Sequence, residues 1–317
     1  MATVTPTVTP EHYVRKTFPL HEFIFVGCWN RPGRYRDEVA AAIMKTPVKT
    51  VILGGDNVYP LPDTKIHSTQ VFYDGIQLYM NKGKDIVGTL GNHNITFALD
   101  EEMREVDMKE RQMKVFDITN SYYISEYDDK CCIVVLDTNL TETKYETMCA
   151  WFNTAIEYMR ANALQYYLVQ HEPFFSVKGK TKKGVFSDKY QILENRKTIL
   201  YSLFTYVPIR VLCADTHLFQ QVNITSKRTG QSVVEIVVGT GGAEHDSYSL
   251  KTPWEDDSYV YELIYPKKPS EYISAYGYLH IFTPERSQFV PISAWEGGTR
   301  TRKKNKKKTK RKSRKLI

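Results

Sequence analysis

The sequence predicts an α/β fold in which strands and helices are layered around one core. Short apolar runs of strand length recur along the chain, and helical stretches lie between several of them. The residues just past the C-terminal ends of five of these runs are Asp, Asn, His, Tyr or Cys set among glycines. The chain has 317 residues, 42% of them hydrophobic, which is enough to bury a large core. Together these features point to one main domain, residues 19–296, between a flexible N-terminal segment, 1–18, and a disordered polybasic tail, 297–317.

Residues 1–18 are rich in Thr and Pro and are expected to be loose. Residues 23–27 form an apolar run ending in Gly, a buried-strand signal. Residues 37–45 follow as a helix, with Val39, Ala42 and Ile43 at helical spacing. Further buried strands are expected at 50–54, 84–88, 131–136, 166–169 and 210–213, and later ones at 233–238 and 278–282. Helices are expected at 145–162 and 192–206. The second reads as amphipathic from Asp188 onward, through Ile192, Ile199, Leu200 and Leu203. The sequence shows no internal repeat.

The net charge of +7 describes the tail, not the body. Residues 300–315 hold 12 Lys or Arg and no acid, which leaves 31 basic against 36 acidic residues elsewhere, a net of −5. Basic composition therefore says nothing about the body's substrate. The tail itself is a candidate contact for nucleic acid or another polyanion, joined through Gly297-Gly298. Of the five cysteines, Cys28, Cys131, Cys132 and Cys213 lie in apolar runs and read as reduced, buried thiols; no CxxC pair suggests a structural zinc site. The N-terminus has no apolar leader and no run of 18 apolar residues exists, so the expectation is an intracellular protein, cytoplasmic or nuclear, without a transmembrane helix. Three Asn-x-Thr tripeptides, at 94, 139 and 223, are read on that basis as chance matches.

Ligand sites in α/β sheets gather beyond the C-terminal ends of the strands. Here those positions hold Gly27-Cys28-Trp29-Asn30, then Gly54-Gly55-Asp56-Asn57-Val58-Tyr59, then Gly91-Asn92-His93-Asn94, then Gln170-His171-Glu172-Pro173, then Ala214-Asp215-Thr216-His217. Their polar side chains are ligands for hard and borderline metals, and the glycines let the backbone turn close to an ion. One such loop is usually only a turn. Five strand ends of this kind point to a metal site. His245, in the Gly-rich turn 239–246, is a possible accessory; His12, His21, His67 and His280 lie away from the strand-end loops and read as surface or core histidines.

These blocks resemble the signatures of calcineurin-like metallophosphoesterases, and Tyr59 and Trp29 resemble the purple acid phosphatase branch. The resemblance runs from about Phe23 to Gln220. It implies a layered β-sandwich of mixed sheets flanked by helices, and two divalent or mixed-valence metal ions (Fe, Zn or Mn) bridged by one aspartate. Residue by residue, it implies that Asp56 bridges, that Tyr59 and His217 bind the first metal, and that Asn92 and His171 bind the second. His93 matches the residue that steadies the transition state or protonates the leaving group. The chain departs from the family pattern at three places. Cys28 stands where the family has Asp, and as a softer ligand it favours zinc. Asp215 stands where a second-metal His is usual, and it could replace that ligand. Asn94 stands where Asp usually follows the His. Asn30 could lend a carbonyl oxygen near the first metal. The implied activity is hydrolysis of phosphate esters by a two-metal phosphomonoesterase; diesters and phosphoproteins would use the same blocks. The alternative is a degenerate, non-catalytic scaffold whose basic tail binds a polyanionic partner.

Overall fold

The computed structural model describes residues 9–60, 67–81, 83–94, 98–99, 105–182, 185–192, 197–248, 253–273 and 275–294. The tail 297–317 and residues 1–8 lie outside the described residues. In chain order the elements are β1 (Tyr13–Arg15), β2 (Phe23–Val26), α1 (Arg34–Met44), β3 (Thr50–Leu53), α2 (Thr69–Met80), β4 (Asp85–Gly88), β5 (Ala98–Leu99), β6 (Glu105–Val106), α3 (Met108–Phe116), β7 (Tyr123–Glu126), β8 (Cys131–Val135) and α4 (Glu142–Ala161). They continue with β9 (Gln165–Val169), β10 (Phe175–Lys182), β11 (Val185–Ile192), α5 (Lys197–Leu203), β12 (Arg210–Cys213), β13 (Phe219–Ser226), β14 (Ser232–Val238), β15 (Ser247–Tyr248), β16 (Trp254–Glu255), β17 (Tyr259–Tyr265), β18 (Ala275–Ile281) and β19 (Ser287–Ala294).

Two mixed sheets carry the fold. One has the order β19-β18-β2-β3-β4, the other β1-β7-β8-β9-β12-β14-β13-β17-β16. Strands β2, β3 and β8 are buried at every position, as expected of strands covered on both faces. Alternation then sorts their side chains between two layers. Phe23, Phe25 and Ile52 meet Ile133, Val135, Tyr167 and Leu212 in a core between the sheets. Ile24, Val26, Val51 and Leu53 face the other way, onto Val39 and Ile43 of α1 and Phe72 and Ile76 of α2. On the far side of the larger sheet, Cys132, Val134 and Leu168 pack against α4 and α5. The result is a β-sandwich of mixed sheets with helices on both outer faces.

Helices α2 and α3 add to the elements expected from sequence. Each begins on a side-chain cap: Ser68 Oγ accepts from the Gln70 amide, and Asp107 Oδ1 from the Lys109 and Glu110 amides.

The structure corrects two expectations. Within the segment expected to be loose, β1 pairs parallel with β7, and the Tyr13 hydroxyl donates to Glu126 Oε2 at 2.7 Å. Three residues suffice there because the sheet edge supplies the partners. Of the helix expected from Asp188 or Ile192, the described residues show Lys197–Leu203, and Val185–Ile192 instead forms an antiparallel ladder with β10, from Lys182↔Val185 to Phe175↔Ile192. A partner strand satisfies the backbone of that stretch, whereas Ile199, Leu200 and Leu203 keep the helical face against the core. All five cysteines are buried as thiols rather than disulfides. Among the described residues no helix is long and apolar enough to cross a membrane.

Candidate metal centre

Strands β2, β3 and β4 run parallel in one sheet, and β9 and β12 run parallel in the other. Each set therefore brings its C-terminal loops to one edge. The two edges are stitched by backbone bonds: the Gly27 amide donates to Val238 O at 3.1 Å and the Gly241 amide to Gly27 O at 3.0 Å. The Ala214 amide joins the β9 and β12 loops through His171 O at 2.8 Å. Cys28, Asp56 and Asp215 lie at φ 49°, 56° and 51°, in the left-handed region that non-glycine residues seldom adopt. Such strain collects at functional sites, where the surrounding structure holds it in place.

Asp56 is the hub. Its Oδ2 accepts the Tyr59 hydroxyl at 2.7 Å, and its Oδ1 accepts the His93 amide at 3.2 Å. The ligand atoms of Cys28, Asp56 and His217 lie within 4.8 Å of one another, and the Tyr59 hydroxyl is 3.4 Å from His217 Nε2. On the other flank, His171 Nε2 lies 3.2 Å from Asp56 Oδ1 and 3.8 Å from Asp215 Oδ1. Asn92 Nδ2 donates to Asp215 Oδ1 at 3.2 Å, which leaves the Asn92 amide oxygen as its donor atom toward a cation. The loops close to contact: a Cβ on Gly91 would lie 2.5 Å from Asp56 Oδ1, and one on Gly55, at φ +91°, 2.5 Å from His171 Nδ1.

Both imidazoles are set as metal ligands usually are. His171 Nδ1 pairs with Gly54 O at 2.8 Å and His217 Nδ1 with Glu244 O at 2.6 Å. Each Nε2 thereby faces the cluster; at His171 burial opposes a charge, but Asp56 and Asp215 outweigh it and raise the pKa to about 9, so a cation there would displace a proton. His171 Nε2 is buried and, although close to two carboxylates, is aligned for a hydrogen bond with neither. Electrostatics agree. Burial, then the charges of Asp56 and Asp215, push the Cys28 thiol well up; burial, then Cys28 and Asp56, do the same to the Tyr59 hydroxyl. Burial alone would raise the Asp56 carboxyl, but His171 and His93 outweigh it and hold it below the usual carboxylate range. His217 is lowered by burial, and so is held in the neutral form that binds metal. This is a site rich in oxygen and sulfur donors whose protons a cation would displace. Among the described residues, Cys28, Asp56 and His217 form a group whose ligand atoms are close enough to hold a cation, with Tyr59 beside them and Asn92, His171 and Asp215 on the other flank of Asp56.

Two accessory candidates sit elsewhere. Asn30 is buried and turned away: its Nδ2 donates to Asn57 O at 2.6 Å and Val71 O at 3.0 Å, and its Oδ1 lies 3.4 Å from an Arg36 nitrogen. It braces the loop below the site. His245 packs edge-on against Tyr276 at 4.5 Å, and burial, then the nearby His217, lower its pKa to about 4. The Asn94 side chain lies outside the described residues. His93 is exposed, its ring 5.0 Å from that of Tyr59. Sequence reasoning missed His67, whose ring lies 6.4 Å from that of His93 and whose Nε2 is buried with no hydrogen-bond partner among the described residues. It precedes α2 and belongs to no strand-end block, so only the fold brings it near. Asp246 was also missed; its Oδ2 accepts the His217 amide at 3.0 Å. The Gly-rich turn after β14 was its only signal.

No protein-family profile and no curated protein sequence matches the chain. Solved structures do. A purple acid phosphatase from yellow lupin (Lupinus luteus) seeds aligns with a TM-score of 0.55 at 11% identity, covering 86% of this chain. The chain spans about half, 52%, of that protein's length. PhoD aligns with a TM-score of 0.51 at 13% identity, over 89% of this chain and 74% of PhoD. GAP50, the anchor in the inner membrane complex of Plasmodium, aligns with a TM-score of 0.48 at 12% identity, over 86% of this chain and 89% of GAP50. The sheet order, the helices on both outer faces and these two first alignments agree: the chain has the metallophosphoesterase fold of the purple acid phosphatase type.

Proposed function

We propose that the chain is a metal-dependent phosphoesterase, a two-metal phosphomonoesterase acting on phosphate esters. The observation that carries this reading is His171: a fully buried imidazole with Nδ1 fixed on Gly54 O and Nε2 aimed, without a hydrogen bond, between Asp56 and Asp215. Burial works against a charge on this ring, but Asp56 and Asp215 outweigh it and raise its pKa to about 9, so a cation bound between them would displace that proton and take over its charge. Iron, zinc or manganese in the pair would clamp the phosphate and acidify a bound water. Asp56 would hold the pair, with Cys28, Tyr59 and His217 on one flank and Asn92, His171 and Asp215 on the other. Cys28 adds a thiolate donor that favours zinc. His93 stands at the exposed mouth, where its ring reaches a leaving-group oxygen and supplies a proton, and its amide steadies Asp56.

A second reading has one observation in its favour. Cys28 is a thiol held protonated by burial and two carboxylates, on a left-handed backbone where Asp would be better tolerated. On that reading the fold is a scaffold and residues 300–315 carry its interaction with a polyanion. The two readings separate by metal analysis after reconstitution with zinc, manganese or iron, combined with turnover of an aryl phosphate. The phosphoesterase reading expects about two metals per chain and metal-dependent turnover. Less than about half a metal per chain with every metal would establish the scaffold instead.

A further inference from the structure

The two histidines of the metal centre are held by different means. His171 is fully buried, and its Nδ1 rests on Gly54 O in the core. His217 is only part-buried and lies on the short loop between β12 and β13. Three hydrogen bonds fix it from outside the metal cluster, and all three run to residues 244–246. Its Nδ1 pairs with Glu244 O at 2.6 Å, its amide donates to Asp246 Oδ2 at 3.0 Å, and its carbonyl accepts the Asp246 amide at 3.0 Å. Asp246 therefore grips both backbone groups of His217 at once.

Asp246 is in turn fixed from its far side. Lys178 Nζ, on β10, lies 3.5 Å from the same Oδ2, and the Tyr272 hydroxyl donates to Asp246 O at 3.3 Å. Gly179, next to Lys178, pairs with Ser247, next to Asp246. Both side chains of the Lys178–Asp246 pair are partly shielded from water, which strengthens a charge-assisted bond. The ligand set leaves little play: His217 Nε2 lies 3.4 Å from the Tyr59 hydroxyl, and the ligand atoms of Cys28, Asp56 and His217 lie within 4.8 Å of one another. Metal–nitrogen distances tolerate only about 0.2 Å of error, so a shift of the His217 backbone is felt at Nε2.

We propose that Asp246 is a positioning residue of the metal centre: it holds His217 so that Nδ1 stays on Glu244 O and Nε2 faces Cys28 and Asp56, and Lys178 keeps its carboxylate in place. This rests on the metal-dependent reading above. The full-length chain is titrated with cobalt(II) and with zinc. A Cys28 thiolate on cobalt gives a charge-transfer absorption, which reports the flank of Cys28, Tyr59 and His217 separately from that of His171. Asp246→Ala should weaken binding at the Cys28 flank by about 10- to 100-fold and shift that absorption, with less than about 2-fold change at the His171 flank. Asp246→Asn keeps an oxygen for the His217 amide and should bind within about 3-fold of wild type. In metal-free protein, imidazole nitrogen NMR should show His217 protonated on Nδ1 in wild type and in Asp246→Asn, and a mixture of tautomers in Asp246→Ala. An Asp246→Ala variant with unchanged affinity at the Cys28 flank and an unchanged His217 tautomer overturns the proposal and leaves the phosphoesterase reading standing. A wild-type chain that takes up neither cobalt nor zinc sinks both.

Discussion

Glu235→Gln should remove much of the pH dependence of stability between pH 5 and pH 8. Glu235 lies in β14 with 0% of its surface exposed, opposite Val222 of β13 and Val211 of β12. Its carboxylate accepts the Phe174 amide at 2.6 Å, the Phe175 amide at 3.0 Å and the Cys213 thiol at 3.4 Å. Burial raises its pKa from 4.5 to about 7, against the opposing pull of those three donors. The folded protein therefore keeps the proton up to about pH 7, whereas the unfolded chain releases it near 4.5. Because the folded pKa is raised, the stabilisation from the bound proton is complete below 4.5 and is lost as pH climbs toward 7. The rise amounts to about 3 kcal/mol, of which about 2.5 falls between pH 5 and pH 8. That is a large share of a domain's net stability, about 5–15 kcal/mol. Glutamine offers one acceptor where two amides need one each, so the variant should also lose about 1–3 kcal/mol at pH 5. The assay is urea unfolding of metal-free protein at pH 5, 6, 7 and 8, comparing the two proteins so that other titrating groups cancel. The two curves should converge by about 2.5 kcal/mol as pH rises. Parallel curves would refute the reasoning. Glu235 fastens the chain just beyond His171 and just before Asp215, so the loss should also weaken metal binding.

His93→Ala should leave metal content unchanged and lower turnover by about 10²-fold or more, with a smaller loss for esters with good leaving groups. Asn92→Ala should instead lower metal occupancy, with partial rescue by excess metal; full activity of the His93 variant on a poor leaving group would cancel that assignment. Cys28→Asp should suit the left-handed backbone and raise metal-dependent turnover several-fold, yet lower the melting temperature of the metal-free protein, because it adds a third carboxylate beside Asp56 and Asp215. A fall in activity would show the thiolate to be the adapted ligand.

The strands that position the site were legible because both of their faces are buried. A strand such as β2 or β8 then reads as an unbroken apolar run, and its end is marked by glycine and polar residues. The residues that gather around Asp56 were legible for the same local reason: Asn92, His171 and Asp215, like Asp56 itself, each sit just beyond such a run. Other features depend on pairing between residues distant in sequence. Nothing in 185–192 distinguishes a helix from a strand until β10 supplies the partner. Asn30 looked like a neighbour of Cys28 with a carbonyl to offer, but in the fold its amide donates to Val71 O of α2 instead. His67 carries no motif, and it approaches His93 only because the chain folds back at the Pro60–His67 bridge. Periodicity and composition determine which segments become buried strands and which chemistry their ends carry. Only the joining of the two sheets, through Gly27, Val238 and Gly241, decides that those ends meet around Asp56, because convergence is set by long-range contacts that no local pattern encodes.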